Sequence, residues 1–372
     1  MNILFTNFHG RNGGGHVTYI VNLLQGFAAE HTLTVATPRS SRLFRLAQQV
    51  PGVKVVDMSF STRPSSWLGP RAGLRKLIHD EAIDVIHANG SADHKQVMLA
   101  VLGMFNRPRI VYTKHNHHPL NSIGHWLRAR FATDYVIAVS DYVHDLLLHS
   151  SYHRCTIETI RHGLDTEYFA PVGSAEKFAL RHSLIGPGLT DKILLGSAGG
   201  TDYEKGWLDL VAAVASLPKE QRTRFHLVVA GDAPNQAKLA QVAALGMTSQ
   251  VSFPGLIDDV RPLLSACDVG FVLSYHEALS FACRELMALG LPVLITRVGG
   301  LPENLTDEKE GWIVPPKDPD AIAKVLLRML DDPQCLQTMG QQARLRAASE
   351  FNLKDFVSHT LDVYQRTLEG RA

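Results

Sequence analysis

Short apolar runs alternate with amphipathic stretches along this chain, so the hydrophobic period switches repeatedly between two and about 3.6 residues. Asn2–Thr6 reads as a strand, Gly13–Gly15 as a turn and Val17–Ala29 as a helix. Strand-like runs follow at Thr32–Ala36, Val53–Asp57, Asp84–His87, Arg109–Thr113 and Tyr135–Val139, with helical patterns at Leu74–Glu81 and His94–Gly103. The alternation restarts at Lys192–Gly196. It continues through Phe225–Ala230, Val251–Phe253, Val269–Leu273, Pro292–Ile295 and Trp312–Val314, and a helical tail covers about Asp320–Gly370. Strands interleaved with helices predict a mostly parallel sheet covered on both faces, here built twice. The fold class is therefore α/β with two domains, dividing near the turn-rich stretch Pro171–Pro187.

The strand–loop–helix–strand unit around Ser274–Glu303 is the most telling segment. It places Glu277 at the carboxyl lip of a buried strand and Glu285 about a turn and a half into a helix running from about Ser280 to Leu289. In such sheets ligands bind beyond the carboxyl ends of the strands. Two carboxylates there can divide the handling of one hydroxyl-rich ligand.

At 372 residues the chain exceeds what one core usually supports, which agrees with two domains. The net charge of +1 gives no whole-molecule reason to expect nucleic acid. Residues 1–170 nevertheless hold 17 Lys/Arg against 12 Asp/Glu and 14 of the 18 histidines, which suits an anionic acceptor or membrane surface. The four cysteines lack metal-type spacing and read as reduced thiols. MNILFTNF reads as a first strand rather than a signal peptide, and no apolar run approaches the roughly 20 residues that span a bilayer. A cytoplasmic location is expected.

Several loops at strand ends carry candidate chemistry. GRNGGGHV (Gly10–Val17) joins the first strand to the first helix, where glycines let backbone amides approach a phosphate or sugar. It is neither GxGxxG nor a Walker A loop, so a Rossmann cofactor is not indicated. KHNHH (Lys114–His118) puts His115 at another strand's lip. Zinc-enzyme spacing is missing, so His115 is read as a hydrogen-bond donor to substrate and His117 and His118 as surface. In GSAGGTDYEKGW (Gly196–Trp207), Lys205 precedes a helix, where a cation can neutralise a diphosphate. Asp318-Pro319-Asp320 precedes an apolar-periodic run and reads as an N-cap rather than a metal site. Two basic–apolar stretches, Ser65–Ile78 and His125–Phe131, read either as amphipathic helices packed inward or as contacts with an anionic membrane surface.

Taken in order, GRNGGGHV, KH, IAVSDYV, TIRHGLDTEYFAP, YEKGW, VVAGD, VSFPGLIDDV and EALSFACRELMALGLPV followed by GGLPE carry a family likeness. The chain resembles the retaining family 4 glycosyltransferases (glycosyl transferases group 1), with the two-domain GT-B fold, over nearly its whole length. The resemblance implies two Rossmann-like domains facing across a cleft. Residues 1–170 would form the acceptor domain and 171–352 the nucleotide-sugar domain, with a final helix (353–372) packing back on the first. It implies that Glu285 binds ribose hydroxyls, Glu277 sits beside the donor sugar, and backbone amides around Leu279, Ser280 and Phe281 meet the sugar and diphosphate. Lys205 would neutralise the diphosphate, Leu256 and Ile257 would flank the base, Gly14 and Gly15 would approach the phosphate, and His115 would bond the donor sugar.

Two departures stand out. The family's second diphosphate cation, an arginine five residues before Lys205, is here Gly200, with Arg284 or Arg297 as candidate substitutes. The usual Gly-Phe-Gly after the first glutamate is Ala278-Leu279-Ser280, which is expected to narrow the pocket. The implied reaction moves a sugar from a UDP- or GDP-linked donor to an acceptor hydroxyl with retention and without a metal cofactor. Family habit points to a lipopolysaccharide or other envelope glycan or glycolipid acceptor, with peripheral contact at the inner membrane left open. The alternatives are a sugar-nucleotide 2-epimerase of similar fold and a non-catalytic carbohydrate- or partner-binding protein.

Overall fold

A computed structural model of the chain describes residues 1–11, 13–60, 68–184 and 186–370. It divides into two compact units, Met1–Gly163 with Leu353–Ala372, and Leu164–Asn352. The division thus falls at Gly163 rather than at Pro171.

The first unit holds β1 (Asn2–Thr6), β2 (Thr32–Thr37), β3 (Val53–Asp57), β4 (Val85–Ala88), β5 (Arg109–Lys114), β6 (Tyr135–Ala138) and β7 (Ile157–Thr159). They form one parallel sheet in the order β3-β2-β1-β4-β5-β6-β7. The second holds β8 (Ile193–Ser197), β9 (Phe225–Ala230), β10 (Val251–Gly255), β11 (Val269–Val272), β12 (Val293–Thr296) and β13 (Gly311–Val314), ordered β10-β9-β8-β11-β12-β13 and also all parallel. Both sheets start in the middle, run outward, then reverse. Each therefore has a switch point, at β1/β4 and at β8/β11, where loops diverge and leave a crevice at the carboxyl edge.

Strand periodicity explains the two-sided burial. In the second unit Leu195, Leu227, Val229, Phe271 and Leu294 join one cluster with Trp207 and Trp312, while their neighbours Leu194, Val228, Val272, Val293 and Ile295 join another with Leu286 and Met287. Successive side chains point to opposite faces, so each strand feeds two cores. Burying each such side chain contributes roughly 1.5–3 kcal/mol.

The strand β7 is absent from the hydrophobic reading because its three residues are only half-buried. The expected helical tail is three helices, Pro319–Asp331, Gln334–Glu350 and Leu353–Glu369. Pro333 lacks an N–H and disfavours helical backbone at Asp332, which breaks the first from the second. The last helix belongs to the first unit, where Val357 fills the space that a side chain on Gly26 would occupy. Asp318 caps Pro319–Asp331 by accepting from Ala321 N at 2.9 Å. Among the described residues no helix is long and apolar enough to cross a membrane. Of the two basic–apolar stretches, Ser65–Ile78 lies partly outside the described residues. Its later residues Leu74, Leu77 and Ile78 are core. The helix Ile123–Phe131 turns Trp126 and Phe131 outward, whereas Arg128 is buried and donates to Ser91 Oγ.

Candidate active site

At the carboxyl edge of the second sheet, close backbone approach assembles the loops. Gly206 has φ +65, and a Cβ there would stand 1.9 Å from the carbonyl oxygen of Leu273. Only glycine lets the loop after β8 press so tightly on the end of β11. Tyr275 N donates to Glu204 O at 2.8 Å across the same junction. The consequence is that Lys205 and Glu277, 72 positions apart in sequence, meet with Nζ 3.5 Å from Oε2. Neither is buried away from water, so the pair adds little stability. Its interest is chemical, because a cation and a carboxylate stand side by side at the switch point.

Further links extend along the edge. Gly231 N donates to Gly255 O, Gly200 N to Ala230 O, Thr201 Oγ1 to Asp232 O and Gly300 N to Glu277 O. The loops after β8, β9, β10, β11 and β12 are thereby joined in series. Leu256 and Ile257 follow β10. Leu256 is exposed, and Ile257 packs against the core.

The helix Phe281–Ala288 opens at this edge. Ser280 caps it, its Oγ accepting from Cys283 N at 3.2 Å, and holds φ +104. A non-glycine residue at such a φ is strained by about 1–3 kcal/mol. Sequence reading placed Ser280 where glycine is usual, and the backbone keeps a glycine-like conformation there. The N–H groups of Leu279 and Ser280 have no partner among the described residues, which leaves two donors beside the positive end of the helix. Leu279 is buried and its carbonyl accepts from Asn304 Nδ2. Phe281 is also buried, and Glu285, half-buried, lies on the first turn and a half of the helix.

The cation question resolves differently from expectation. Arg284 is fully buried, donates to Asn304 Oδ1 and lies over the Phe351 ring at 4.1 Å, so it is a packing residue and no substitute for a clamp. Arg297 is exposed at the end of β12, 3.9 Å from Asp307. Gly200 has φ +87, a backbone that disfavours any side chain. Beside it, Lys238 Nζ donates to Thr201 O at 2.6 Å and forms no ion pair among the described residues. Sequence reading missed Lys238, which sits one turn into a helix (Gln236–Ala244) and carries no motif of its own.

In the first unit, Gly14 and Gly15 open the helix Gly14–Phe27 and are exposed, with Gly13 (φ +69) as its N-cap. His115 follows β5. Its ring lies 4.3 Å from that of His16 and 4.6 Å from that of Tyr19, while His16 lies 4.6 Å from His9. Behind them His87 Nε2 meets Thr113 Oγ1 at 2.6 Å. Burial pushes His16 and His87 down to about 3 and His115 well below the usual histidine value, so these rings are neutral near pH 7. Lys114 is turned inward, donating to Asn116 Oδ1 and His118 O, and burial lowers it to about 8. Of the two histidines read as surface, His118 is exposed and His117 half-buried.

Two family models match the chain, "Glycosyltransferase Family 4" over residues 13–168 and "Glycosyl transferases group 1" over residues 187–346. The chain belongs to the family 4 glycosyltransferases. Its two units are the paired Rossmann-like domains of the GT-B fold. Among curated relatives it is 32% identical to the 2-deoxystreptamine glucosyltransferase of Streptomyces kanamyceticus over 178 residues, 47% of this chain and 46% of that one. To the alpha-maltose-1-phosphate synthase of Mycobacterium tuberculosis it is 26% identical over 95% of each. Apart from such full-length matches, the chain spans about half the length of the curated relatives it matches. Among solved structures, Anabaena Alr3699/HepE in complex with UDP-glucose has a TM-score of 0.84 at 21% identity, covering 98% of this chain and 100% of that one. WaaG, a glycosyltransferase involved in lipopolysaccharide biosynthesis, has 0.76 at 18%, covering 97% and 99%. These structural likenesses are of fold.

Proposed function

We propose that this chain is a retaining glycosyltransferase that moves a hexose-type sugar from a nucleoside diphosphate, UDP- or GDP-linked, to an acceptor hydroxyl. The observation that carries the proposal is the Lys205–Glu277 pair at the β8/β11 switch point, beside the N-terminus of Phe281–Ala288. Breaking a sugar–phosphate bond leaves a diphosphate and an oxocarbenium-like sugar, so the site needs positive and negative charge close together. Lys205 and the N–H groups of Leu279 and Ser280 supply the first without a metal cofactor, and Lys238 adds a second cation beside Gly200. Glu277 stabilises the sugar cation electrostatically rather than as a covalent nucleophile. The leaving phosphate oxygen takes the acceptor's proton as the new glycosidic bond forms. The carboxylate of Glu285 accepts from ribose hydroxyls, and Leu256 and Ile257 flank the base.

To the first unit the proposal assigns the acceptor, with Gly14 and Gly15 directing amides at phosphate and His115 bonding the donor sugar. The acceptor class we propose is an envelope glycan or glycolipid, in keeping with the role named for WaaG. The reaction would run in the cytoplasm, with the outward Trp126 and Phe131 available for peripheral contact with the inner membrane.

A thermal-shift panel of nucleotide sugars tests the donor half. A ligand at ten times its Kd stabilises the folded chain by about 1.4 kcal/mol. At least one UDP- or GDP-sugar should raise the melting temperature at millimolar concentration, and Lys205→Ala should abolish the shift. No shift from any nucleotide sugar or nucleoside diphosphate would sink the proposal. Turnover of the nucleotide sugar without any acceptor would favour an epimerase instead.

A further inference from the structure

Asn89 lies immediately beyond β4, at the switch point of the first sheet, and is almost fully buried. Its side-chain Nδ2 donates to His87 O at 3.1 Å and to Thr6 O at 3.4 Å, so both amide hydrogens are directed at main-chain carbonyls. Turning the amide over would set its oxygen against those two carbonyl oxygens, which is repulsive. The amide orientation is therefore fixed, and Oδ1 faces His115 Nε2 at 3.1 Å. An oxygen that only accepts requires a hydrogen on that ring nitrogen.

The loop that carries Asn89 is itself braced. Asp93 Oδ2 accepts from Asn89 N at 3.0 Å, Gly90 N at 3.2 Å and Thr6 Oγ1 at 2.8 Å. A side chain at Gly90 would collide with Phe8 and with Asp93 Oδ1, at 2.5 and 2.6 Å. The His115 ring is neutral, so a hydrogen on Nε2 leaves Nδ1 bare. That atom is buried and has no hydrogen-bond partner among the described residues. A buried lone pair without a donor is unfavourable unless a ligand supplies one.

We infer that Asn89 is a positioning residue that fixes the tautomer of His115, so that His115 meets the donor sugar as a hydrogen-bond acceptor at Nδ1. This reverses the donor role expected from the sequence, and it rests on the assignment of His115 to the donor sugar in the proposed function. The recognised group is then a hydroxyl, which can donate, rather than a sugar ring oxygen or phosphate oxygen, which cannot.

Nitrogen-15 NMR of the full chain with labelled histidine reads the tautomer directly, with His115→Gln identifying the resonances. Between pH 6.5 and 8, wild-type His115 should show a protonated Nε2 and a bare Nδ1, and Asn89→Ala should convert this to a mixture of tautomers. A protonated Nδ1 in the wild type overturns the inference without any variant having to fold. Calorimetric titration with UDP-glucose and its monofluoro-deoxy analogues reads the use of that atom. Replacing one particular hydroxyl with fluorine should weaken binding roughly 2- to 10-fold, and His115→Phe should remove that discrimination. Equal discrimination in wild type and His115→Phe overturns the contact. If UDP-glucose and every nucleotide sugar fail to bind, the proposed function falls, while the nitrogen spectrum still decides the tautomer.

Discussion

The two sheets share one strand order, yet their carboxyl edges are furnished in opposite ways. The edge of the second unit is charged, with Lys205, Glu277 and Glu285 about a capped helix N-terminus and Lys238 donating to the loop after β8. That of the first unit is a file of neutral rings, His9, His16, His115 and His87 around Tyr19, held by hydroxyls and one amide. Topology provides a crevice in both places, and the side chains decide what each crevice can hold. A charged edge suits the diphosphate of the proposed donor. A row of neutral rings can discriminate hydroxyls by hydrogen-bond direction.

The sharpest break of this comparison removes the charge. Lys205→Ala should lower turnover by about 10²–10³-fold, the usual loss when one preorganised electrostatic contact to a leaving group is deleted. Lys238→Ala should act in the same direction but less, and steady-state kinetics with a donor found by thermal shift measures both. Equal rates in Lys205→Ala and wild type would show that the charged edge is not where the chemistry lies. Gly206→Ala attacks the scaffold instead. Its Cβ would overlap the Leu273 carbonyl at a φ that alanine disfavours, so a loss of about 3 kcal/mol is expected in urea unfolding.

Acidification should separate the two units. His16, His87 and His94 titrate near 3 when folded but near 6.5 when unfolded, so the unfolded chain binds more protons between those values. Their contribution to stability is therefore full above about pH 6.5 and falls as pH drops towards 3. Asp93, raised to about 7 by burial, works the opposite way, but it is one group against several. The second unit holds a single histidine lowered in this way, His226 at about 4. Peptide-resolved hydrogen exchange between pH 7 and 4.5 should show protection lost first in the first unit, and simultaneous loss would contradict the comparison. The smallest effect is expected at Ser280→Gly, which should stabilise by about 1 kcal/mol in the same urea assay. Relief of the +104° φ outweighs the few tenths that a glycine N-cap loses.

Much of this arrangement is legible in the chain itself. Buried parallel strands are nearly continuous apolar runs, so VGFV, VLIT and FHLVVA announce themselves, and most strand bounds shift by only a residue or two. Glu277, Lys205 and His115 stand out in the sequence because each lies in a loop that follows such a run. Arg284 was misjudged because charge in a sequence says nothing about burial, and a guanidinium can be satisfied by an amide and an aromatic ring. Asn89 and Lys238 were missed because their significance lies in partners distant in sequence, across the sheet edge from each of them.

The sequence alone determined the two α/β units, the residues that end each strand and the chemical types gathered at each edge, because periodicity and strand–loop order are local properties. Only the tertiary structure decided which loops touch, which cation is buried and which remains available, and which nitrogen of an imidazole is left without a partner among the described residues. Those outcomes depend on close backbone approach at Gly206 and Gly90 and on the direction of one amide, and no local pattern encodes them.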